Sequence, residues 1–251
     1  MAKIFITGSA DGLGQMAAKL LVQQGHQVVL HARNEARAKN ARLAVPEATN
    51  LLIADLSSIA ATINLAKEVN TLGPFDAVIH NAAVFKGVET KRSDDDLPMT
   101  FAINTLAPYL LTCLIDKPKR LVYMSSDMHK GGDPHLTDLT NGTFLSTYSD
   151  TKLHDLILTM AVARKWPDVF VNAVHPGWVP TKMGGSAAPD NLQEGFQTQA
   201  WLAVSNEVAA KVTGRYFFHQ KETDFLKVAN DIVIQEQLLT LCESISGYRF
   251  T

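Results

Sequence analysis

The stretch KIFITGSADGLG, residues 3–14, decides the fold of this chain. Its apolar run, Ile4 to Ile6, has the length and the β-branched content of a buried strand. Three glycines follow in the spacing T-G-x-x-x-G-x-G, and beyond them Leu13, Ala17 and Leu20 recur at helical spacing. A helix that starts directly after a glycine turn offers unpaired N–H groups and the positive end of its dipole to an anion. The stretch therefore predicts a pyrophosphate site, with a plain structural turn as the alternative.

Length and composition limit the classes of protein to consider. A chain of 251 residues can form one large α/β domain, and we expect a single domain over 1–251 because no linker or repeat interrupts it. The net charge of −2 argues against a nucleic-acid partner. Cys113 and Cys242 lie in apolar stretches without metal-ligand spacing, so we expect buried thiols, a reducing compartment and no metal. No signal peptide and no apolar run of ~18 residues is visible, which predicts a cytoplasmic protein without a membrane partner.

Apolar segments alternate with helical ones along the whole chain. Seven runs are predicted to be strands, and these are residues 4–6, 27–30, 51–54, 77–79, 120–124, 170–174 and 214–218. The runs are continuously apolar, which is typical of parallel strands buried on both faces. We therefore predict an α/β fold, a doubly wound parallel seven-stranded sheet with helices on both faces. The polar residues 130–142 are interpreted as a loop, and the acidic run 93–96 as a helix start rather than a metal site.

Ligands of such a sheet bind beyond the carboxyl ends of its strands. Between two of these ends lie Tyr148 and Lys152, which are four residues apart and so share one face of a helix. Such a pair is usually two surface residues, but here it begins a helix directly after the polar loop that follows Ser125-Ser126. A free tyrosine, with a pKa near ~10, is a poor base at neutral pH, and a nearby ammonium group lowers that pKa. The pair therefore indicates acid–base catalysis.

At these residues the sequence resembles the short-chain dehydrogenase/reductase family, over essentially the whole chain. The motifs occur in the family's order: Thr7-Gly8-x-x-x-Gly12-x-Gly14, Asp55-Leu56, Asn81-Ala82-Ala83, Asn104, Ser126, Tyr148-x-x-x-Lys152 and Pro176-Gly177. Residues 148–153, 175–181 and 214–217 are most similar to the retinol dehydrogenase and WW-domain oxidoreductase branch. The resemblance implies a Rossmann fold. The sequence departs from the family pattern in three ways: Ala83 stands in place of a glycine, the helix after Asn104 is short, and the branch's N-terminal membrane anchor is missing. From the missing anchor we expect a soluble form.

The resemblance also implies a role for each catalytic residue. Tyr148 is expected to be the general acid in carbonyl reduction and the base in alcohol oxidation, and Lys152 to supply the ammonium group and hold the nicotinamide ribose. Ser126 is expected to hydrogen-bond the substrate oxygen, and we prefer it to Ser125 because the family places its catalytic serine second. Asn104 is expected to hold a water molecule in a proton relay, with a buried and satisfied polar side chain as an equal alternative.

The resemblance assigns the cofactor site to residues Gly8, Ser9, Asp11, Gly12, Leu13, Gly14, Arg33, Asp55, Leu56, Asn81, Ala82, Ala83, Tyr148, Lys152, Pro176, Gly177, Val179 and Thr181. A cofactor without a 2′-phosphate is usually held by an acid at the end of the second strand. Here that segment is His31-Ala32-Arg33, and Arg33 can pair with a 2′-phosphate or stack on adenine. We therefore favour NADP(H), with NAD(H) as the alternative, although Asp11 stands where many NADP-binding relatives carry a basic residue. Asp55 is expected to bond the adenine amine.

The substrate is less well defined. Met128, His129, Trp178 and Met183 are expected to wall the pocket, which suggests a lipophilic carbonyl compound. The same residues could be lid packing, and a surface position is the favoured interpretation for His129. Two functions are weighed: an NADP(H)-dependent oxidoreductase for a small-molecule carbonyl or alcohol substrate, and an NADP(H)-sensing regulatory protein without turnover. The intact set of Ser126, Tyr148 and Lys152 favours the enzyme, as a monomer or a homo-oligomer.

Overall fold

The computed structural model describes residues 1–136 and 145–251, so the end of the predicted loop, residues 137–142, lies outside the described residues. Eight strands form one sheet, and their bounds are Lys3–Ile6 (β1), Gln27–Ala32 (β2), Asn50–Ile53 (β3), Ala77–His80 (β4), Arg120–Met124 (β5), Phe170–His175 (β6), Arg215–Phe218 (β7) and Lys221–Glu222 (β8). Their order is β3-β2-β1-β4-β5-β6-β7-β8. The parallel α/β architecture predicted from the sequence is confirmed.

The predicted number of strands, seven, is wrong by one. The additional strand β8 pairs antiparallel with β7 at the edge of the sheet. It has two residues, Lys221 and Glu222, both exposed, so it carries none of the apolar signal that identified the others. The connecting residues His219 and Gln220 have φ angles of 48° and 61°, the left-handed conformation of a tight hairpin turn.

Eight α-helical segments connect the strands within the described ranges. They are Gly12–Gln23 (α1), Glu35–Ala44 (α2), Ile59–Leu72 (α3), Met99–Phe101 (α4), Ala107–Leu114 (α5), Tyr148–Lys165 (α6), Leu192–Val204 (α7) and Ile232–Ser246 (α8). A π-helical turn, Ala102–Leu106, joins α4 to α5. Short 3-10 turns occupy Asp127–Gly131, Val208–Ala210 and Lys227–Asn230. None of these helices is long and apolar enough to cross a bilayer.

The sheet is buried on both faces, which explains its continuously apolar strands. Successive side chains of a strand point to opposite faces. Phe5 therefore packs into the core that α3, α5, α6 and α8 cover, whereas Ile4 and Ile6 pack into the core under α1 and α7. The winding reverses between β1 and β4, and such a reversal opens a crevice at the carboxyl ends of the strands.

Candidate active site

The glycine turn between β1 and α1 is packed against the end of β4. A Cβ on Gly14 would lie 2.3 Å from Asn81 Nδ2, and a Cβ on Gly8, whose φ is +64°, would lie 2.7 Å from Ala82 Cα. The Asn81 amide donates to the carbonyl oxygens of Thr7, at 2.9 Å, and Gly8, at 3.2 Å. Asn81 therefore fixes the shape of the turn, and only glycine fits beside it.

A buried histidine supports the same turn from β2. Gly8 N donates to His31 Nδ1 at 3.0 Å, so His31 Nε2 carries the proton and donates to Ala54 O at 3.0 Å. Burial lowers the pKa of His31 to about 4, which keeps the ring neutral at physiological pH. Sequence reasoning noted His31 only for not being an acid, because nothing local shows that its ring reaches the turn.

A cleft of about 360 Å³ runs from this turn to the start of α6. The residues predicted for the cofactor that line it are Gly8, Asp11, Gly12, Leu13, Arg33, Asp55, Leu56, Asn81, Ala82, Ala83, Tyr148, Lys152, Pro176 and Thr181. The structure does not bring Ser9, Gly14, Gly177 or Val179 into the lining. Ser9 is buried instead, donating to Ile6 O and accepting from His31 N, so it braces the turn from behind.

Positive charge gathers around Asp11 in the cleft. The Asp11 carboxylate accepts from Arg37 Nη1 at 2.9 Å and from Lys182 Nζ at 2.6 Å, and Arg33 also lines the cleft. Burial raises the pKa of Asp11, but hydrogen bonds from Lys182, Arg37 and the Gly12 N–H lower it, and the net direction is downward. Asp11 therefore does not make this rim acidic. Sequence reasoning missed Arg37 and Lys182, the latter because it lies 171 residues from its partner.

The helix α6 begins where it does because Thr147 and Asp150 form a capping box. This start places Tyr148 and Lys152 on one face, with Lys152 Nζ 5.4 Å from the Tyr148 ring centroid. Burial raises the pKa of Tyr148, Lys152 lowers it and Asp155 raises it, and the net direction is upward. Phe85 packs against the Tyr148 ring, with ring centroids 4.4 Å apart.

The two serines after β5 differ in what they contact. The Ser125 hydroxyl is buried and donates to Lys152 O at 2.7 Å, and Ser125 lines the cleft. Ser126 is half-buried, lies outside the lining and accepts from Met128 N at 3.2 Å, which caps the short turn Asp127–Gly131. The preference for Ser126 as the catalytic serine therefore stays a prediction, and Ser125 is already bonded to α6.

Asn104 lies in the π-helical turn and is fully buried. Its Oδ1 accepts from Val84 N at 2.8 Å, while its Nδ2 donates to Val84 O at 2.9 Å and to Thr151 Oγ1 at 3.0 Å. This side chain ties the segment after β4 to α6, as the alternative interpretation expected. Because π-helical turns often occur at functional sites, the water-binding role of Asn104 stays a prediction.

The expected surface position of His129 is wrong. His129 is fully buried, because the turn Asp127–Gly131 folds its ring against Tyr216, with centroids 5.3 Å apart. Leu226 N donates to His129 Nε2 at 3.2 Å, so Nδ1 carries the proton and donates to Ser126 O at 2.7 Å. Met183 lines the cleft, whereas the exposed Met128 and Trp178 do not.

Comparisons with known proteins agree with this geometry. A sequence model described as short chain dehydrogenase matches residues 2–192. An uncharacterised oxidoreductase of Emericella nidulans is 48% identical over 98% of each chain. Retinol dehydrogenase 14 of Mus musculus is 32% identical over 97% of this chain and 85% of its own. A crystal structure of a protein from Mycobacterium paratuberculosis superimposes with a TM-score of 0.84 at 21% identity, covering 100% of this chain and 95% of the other.

Proposed function

This chain belongs to the short-chain dehydrogenase family and is an oxidoreductase that acts on alcohol or carbonyl groups, and we propose that it transfers a hydride between NADP(H) and a lipophilic aldehyde, ketone or alcohol. The observation that carries the proposal is that Tyr148 and Lys152 line the same cleft as the glycine turn and its cationic rim. A dinucleotide that followed the cleft would therefore bring its reactive ring to the acid–base pair.

The residues of the cleft fit such a cofactor. The turn before α1 offers N–H groups and a helix dipole to a pyrophosphate, and Asp55 with Leu56 lies where the adenine would be held. Lys152 would hold the nicotinamide ribose. When bound, the nicotinamide supplies or accepts the hydride.

The proton steps belong to this chain's own residues. In carbonyl reduction Tyr148 donates its phenolic proton to the substrate oxygen, and in alcohol oxidation its phenolate accepts the hydroxyl proton. Ser126 holds the substrate oxygen through its hydroxyl. The positive charge on Lys152 stabilises the anionic form of Tyr148, the phenolate.

The charges at the rim support NADP(H) over NAD(H). Arg37 and Lys182 pair with Asp11, and Arg33 lines the same cleft; these three cations outnumber the two carboxylates of the lining, Asp11 and Asp55, which would favour a 2′-phosphate. A guanidinium group binds phosphate through two parallel hydrogen bonds.

Apolar surface near Tyr148 supports a lipophilic substrate. Phe85 packs on the Tyr148 ring, and Met183 lines the cleft that also holds Tyr148. Retinol dehydrogenase 14, a relative of this chain, is named for a lipophilic alcohol. The alternative function, an NADP(H)-sensing protein without turnover, has no need of the Tyr148–Lys152 pair.

Substitution of Tyr148 tests the enzymatic function. Tyr148→Phe keeps the ring packed on Phe85 but removes the proton donor, so turnover of lipophilic aldehydes and ketones with NADPH should fall at least ~100-fold, the usual contribution of general acid–base catalysis. NADPH binding, followed by its fluorescence, should persist. Tyr248→Phe, which removes a hydroxyl far from the cleft, is the matched control.

The two serines are compared in the same assay. Ser126→Ala should lower turnover and Ser125→Ala should not, if Ser126 holds the substrate oxygen. Wild-type protein that binds NADPH but turns over no compound of a broad carbonyl and alcohol panel would favour the sensing function. Near-normal turnover by Tyr148→Phe would remove the catalytic assignment.

A further inference from the structure

A buried carboxylate, Asp155, lies one helical turn after Lys152 on α6. The Asp155 side chain is 4% exposed and that of Lys152 is 3% exposed, and Lys152 Nζ lies 2.8 Å from Asp155 Oδ2. The ammonium group also donates to Met124 O, at the end of β5, at 2.6 Å. Lys152 is therefore clamped between a carboxylate on its own helix and the last peptide of a central strand.

This arrangement limits the number of hydrogen bonds that Lys152 can still donate. A lysine ammonium has three N–H donors, and Asp155 and Met124 engage two of them. One donor remains for the cofactor ribose or for the Tyr148 side of the cleft. A buried ion pair is weak evidence for a role in stability, because removing two charges from water costs about as much as their attraction returns. The position of the pair beside the acid–base tyrosine points to another role.

Asp155 also acts on Tyr148 by its charge. Burial is the largest cause that raises the pKa of Tyr148, Lys152 lowers this pKa, and Asp155 raises it again. The ionisable groups near Asp155 on neighbouring strands are the hydroxyls of Tyr123 on β5 and Tyr216 on β7, both buried and neutral. Burial alone would lower the pKa of Lys152, but Asp155 and Tyr148 raise it, so the ammonium keeps its charge. Asp155 thus opposes the effect that Lys152 has on the pKa of Tyr148.

We propose that Asp155 is a positioning residue that holds the Lys152 ammonium against the end of β5, partly neutralises its charge beside Tyr148, and so favours carbonyl reduction at this site. The proposal rests on the proposed function. In reduction the substrate carbon gains the hydride and its oxygen gains the Tyr148 proton, which bulk water then replaces. Oxidation needs the Tyr148 phenolate, which the Asp155 carboxylate disfavours.

The test removes the charge of Asp155 and keeps its shape. In Asp155→Asn the amide oxygen still accepts from Lys152, but the negative charge is gone. The phenolate absorbance of Tyr148, obtained by subtracting the titration of Tyr148→Phe in each background, should appear in wild type above pH ~10. In Asp155→Asn it should appear at least about one pH unit lower, the smallest shift expected from a nearby charge. The pH profile of alcohol oxidation with NADP should move down by the same amount.

Several variants separate this role from a structural one. Asp155→Thr is a second neutral variant, which keeps an acceptor for Lys152 if Asp155→Asn folds poorly. Asp155→Glu retains the charge and should retain the wild-type pH profile. Asp168→Asn, an exposed carboxylate ion-paired to Lys117 beyond the end of α6, removes the same charge at the surface and should change nothing.

Each outcome is decisive. A lower Tyr148 titration together with a shifted oxidation profile supports the proposal. Equal losses of both reaction directions at an unchanged pH profile would overturn it, because they would mean that Asp155 only maintains the fold. The absorbance titration needs no substrate, so a shifted titration in a protein without turnover would support the role of Asp155 in partly neutralising Lys152 beside Tyr148 and count against the proposed function alone.

Discussion

At the scale of single residues, the Asp11 carboxylate lies among cations at the rim of the cleft. Asp11 caps α1 by accepting from Gly12 N, and its other oxygen binds Arg37 and Lys182. These ion pairs are partly exposed, with Lys182 79% and Arg37 43% exposed, and such pairs contribute about 0–1 kcal/mol each. Both cations can therefore turn from Asp11 to a phosphate at little cost.

Arg33→Ala tests the cofactor preference at this scale. A charge-assisted hydrogen bond to the 2′-phosphate contributes roughly 1.5–3 kcal/mol. Because ~1.4 kcal/mol is tenfold in affinity, the variant should bind NADPH about 10- to 100-fold more weakly and NADH nearly as well as before. Arg37→Ala should act in the same direction. High salt should narrow the wild-type preference, because exposed charges are screened.

The measurement compares dissociation constants of both cofactors by calorimetry. Arg42→Ala removes an exposed arginine from the last turn of α2, the helix that also carries Arg37, and serves as the control for the change in net charge. Equal losses of NADPH and NADH in Arg33→Ala would mean that Arg33 stacks on adenine, and the reason for proposing NADP(H) would be lost.

At the scale of elements, local sequence patterns were sufficient to predict strands and helices, but contacts between residues distant in sequence could not be predicted from them. The strand, turn and helix of residues 3–23 and the helix that starts at Tyr148 follow from apolar periodicity and from glycine and capping positions, all within a few residues. The π-helical turn at Asn104 depends on Val84 and Thr151, which lie 20 and 47 residues away. The burial of His129 likewise depends on Leu226. No sequence pattern near these residues encodes such contacts.

Gly14→Ala tests the junction of β1 and α1. The sequence analysis assigned Gly14 to the cofactor site, but in the structure a side chain at Gly14 would point at Asn81, whose amide would be 2.3 Å from the new Cβ. Asn81 would have to move and release Thr7 O and Gly8 O, so the turn should loosen. We expect about 1–3 kcal/mol lower stability to urea, the usual cost of overpacking, and weaker binding of NADPH and NADH by equal factors.

The control for this prediction is another glycine near the cleft. A Cβ on Gly131 would lie 3.7 Å from Ser149 Oγ, an ordinary contact, so Gly131→Ala should leave stability and cofactor binding unchanged. A Gly14→Ala protein with wild-type affinity for both cofactors would show that the shape of this turn does not determine binding.

At the scale of the whole molecule, four histidines are buried and burial lowers the pKa of each; His31, His80 and His154, which have the largest shifts, connect stability to pH. His31 and His80 lie on strands and His154 on α6, and burial lowers their pKa values to about 4, 3 and 4. Each ring makes a specific contact in its neutral form; His154, for example, lies 3.0 Å from Thr105 Oγ1. Charging any of them would place an uncompensated cation in the core.

The protein should therefore lose stability as pH falls from about 6.5 toward 4. In this window the unfolded chain, whose histidines have pKa values near ~6.5, binds protons that the folded chain does not, so the free energy of unfolding decreases as pH falls. Burial raises the pKa of Asp155, which has the opposite effect and offsets about one of the three protons. These three rings and Asp155 leave two net protons, a slope of about 3 kcal/mol per pH unit, and the lowered pKa values of His26, His129 and His175 add to it in the same direction. Urea unfolding near pH ~6.5 and pH ~5 measures this slope.

His154→Gln, which can keep a bond to Thr105, should reduce the slope by about 1.4 kcal/mol per pH unit, whereas the exposed His135→Gln should not change it. A free energy of unfolding that is constant across this range would show that the three rings do not stay neutral in the folded core.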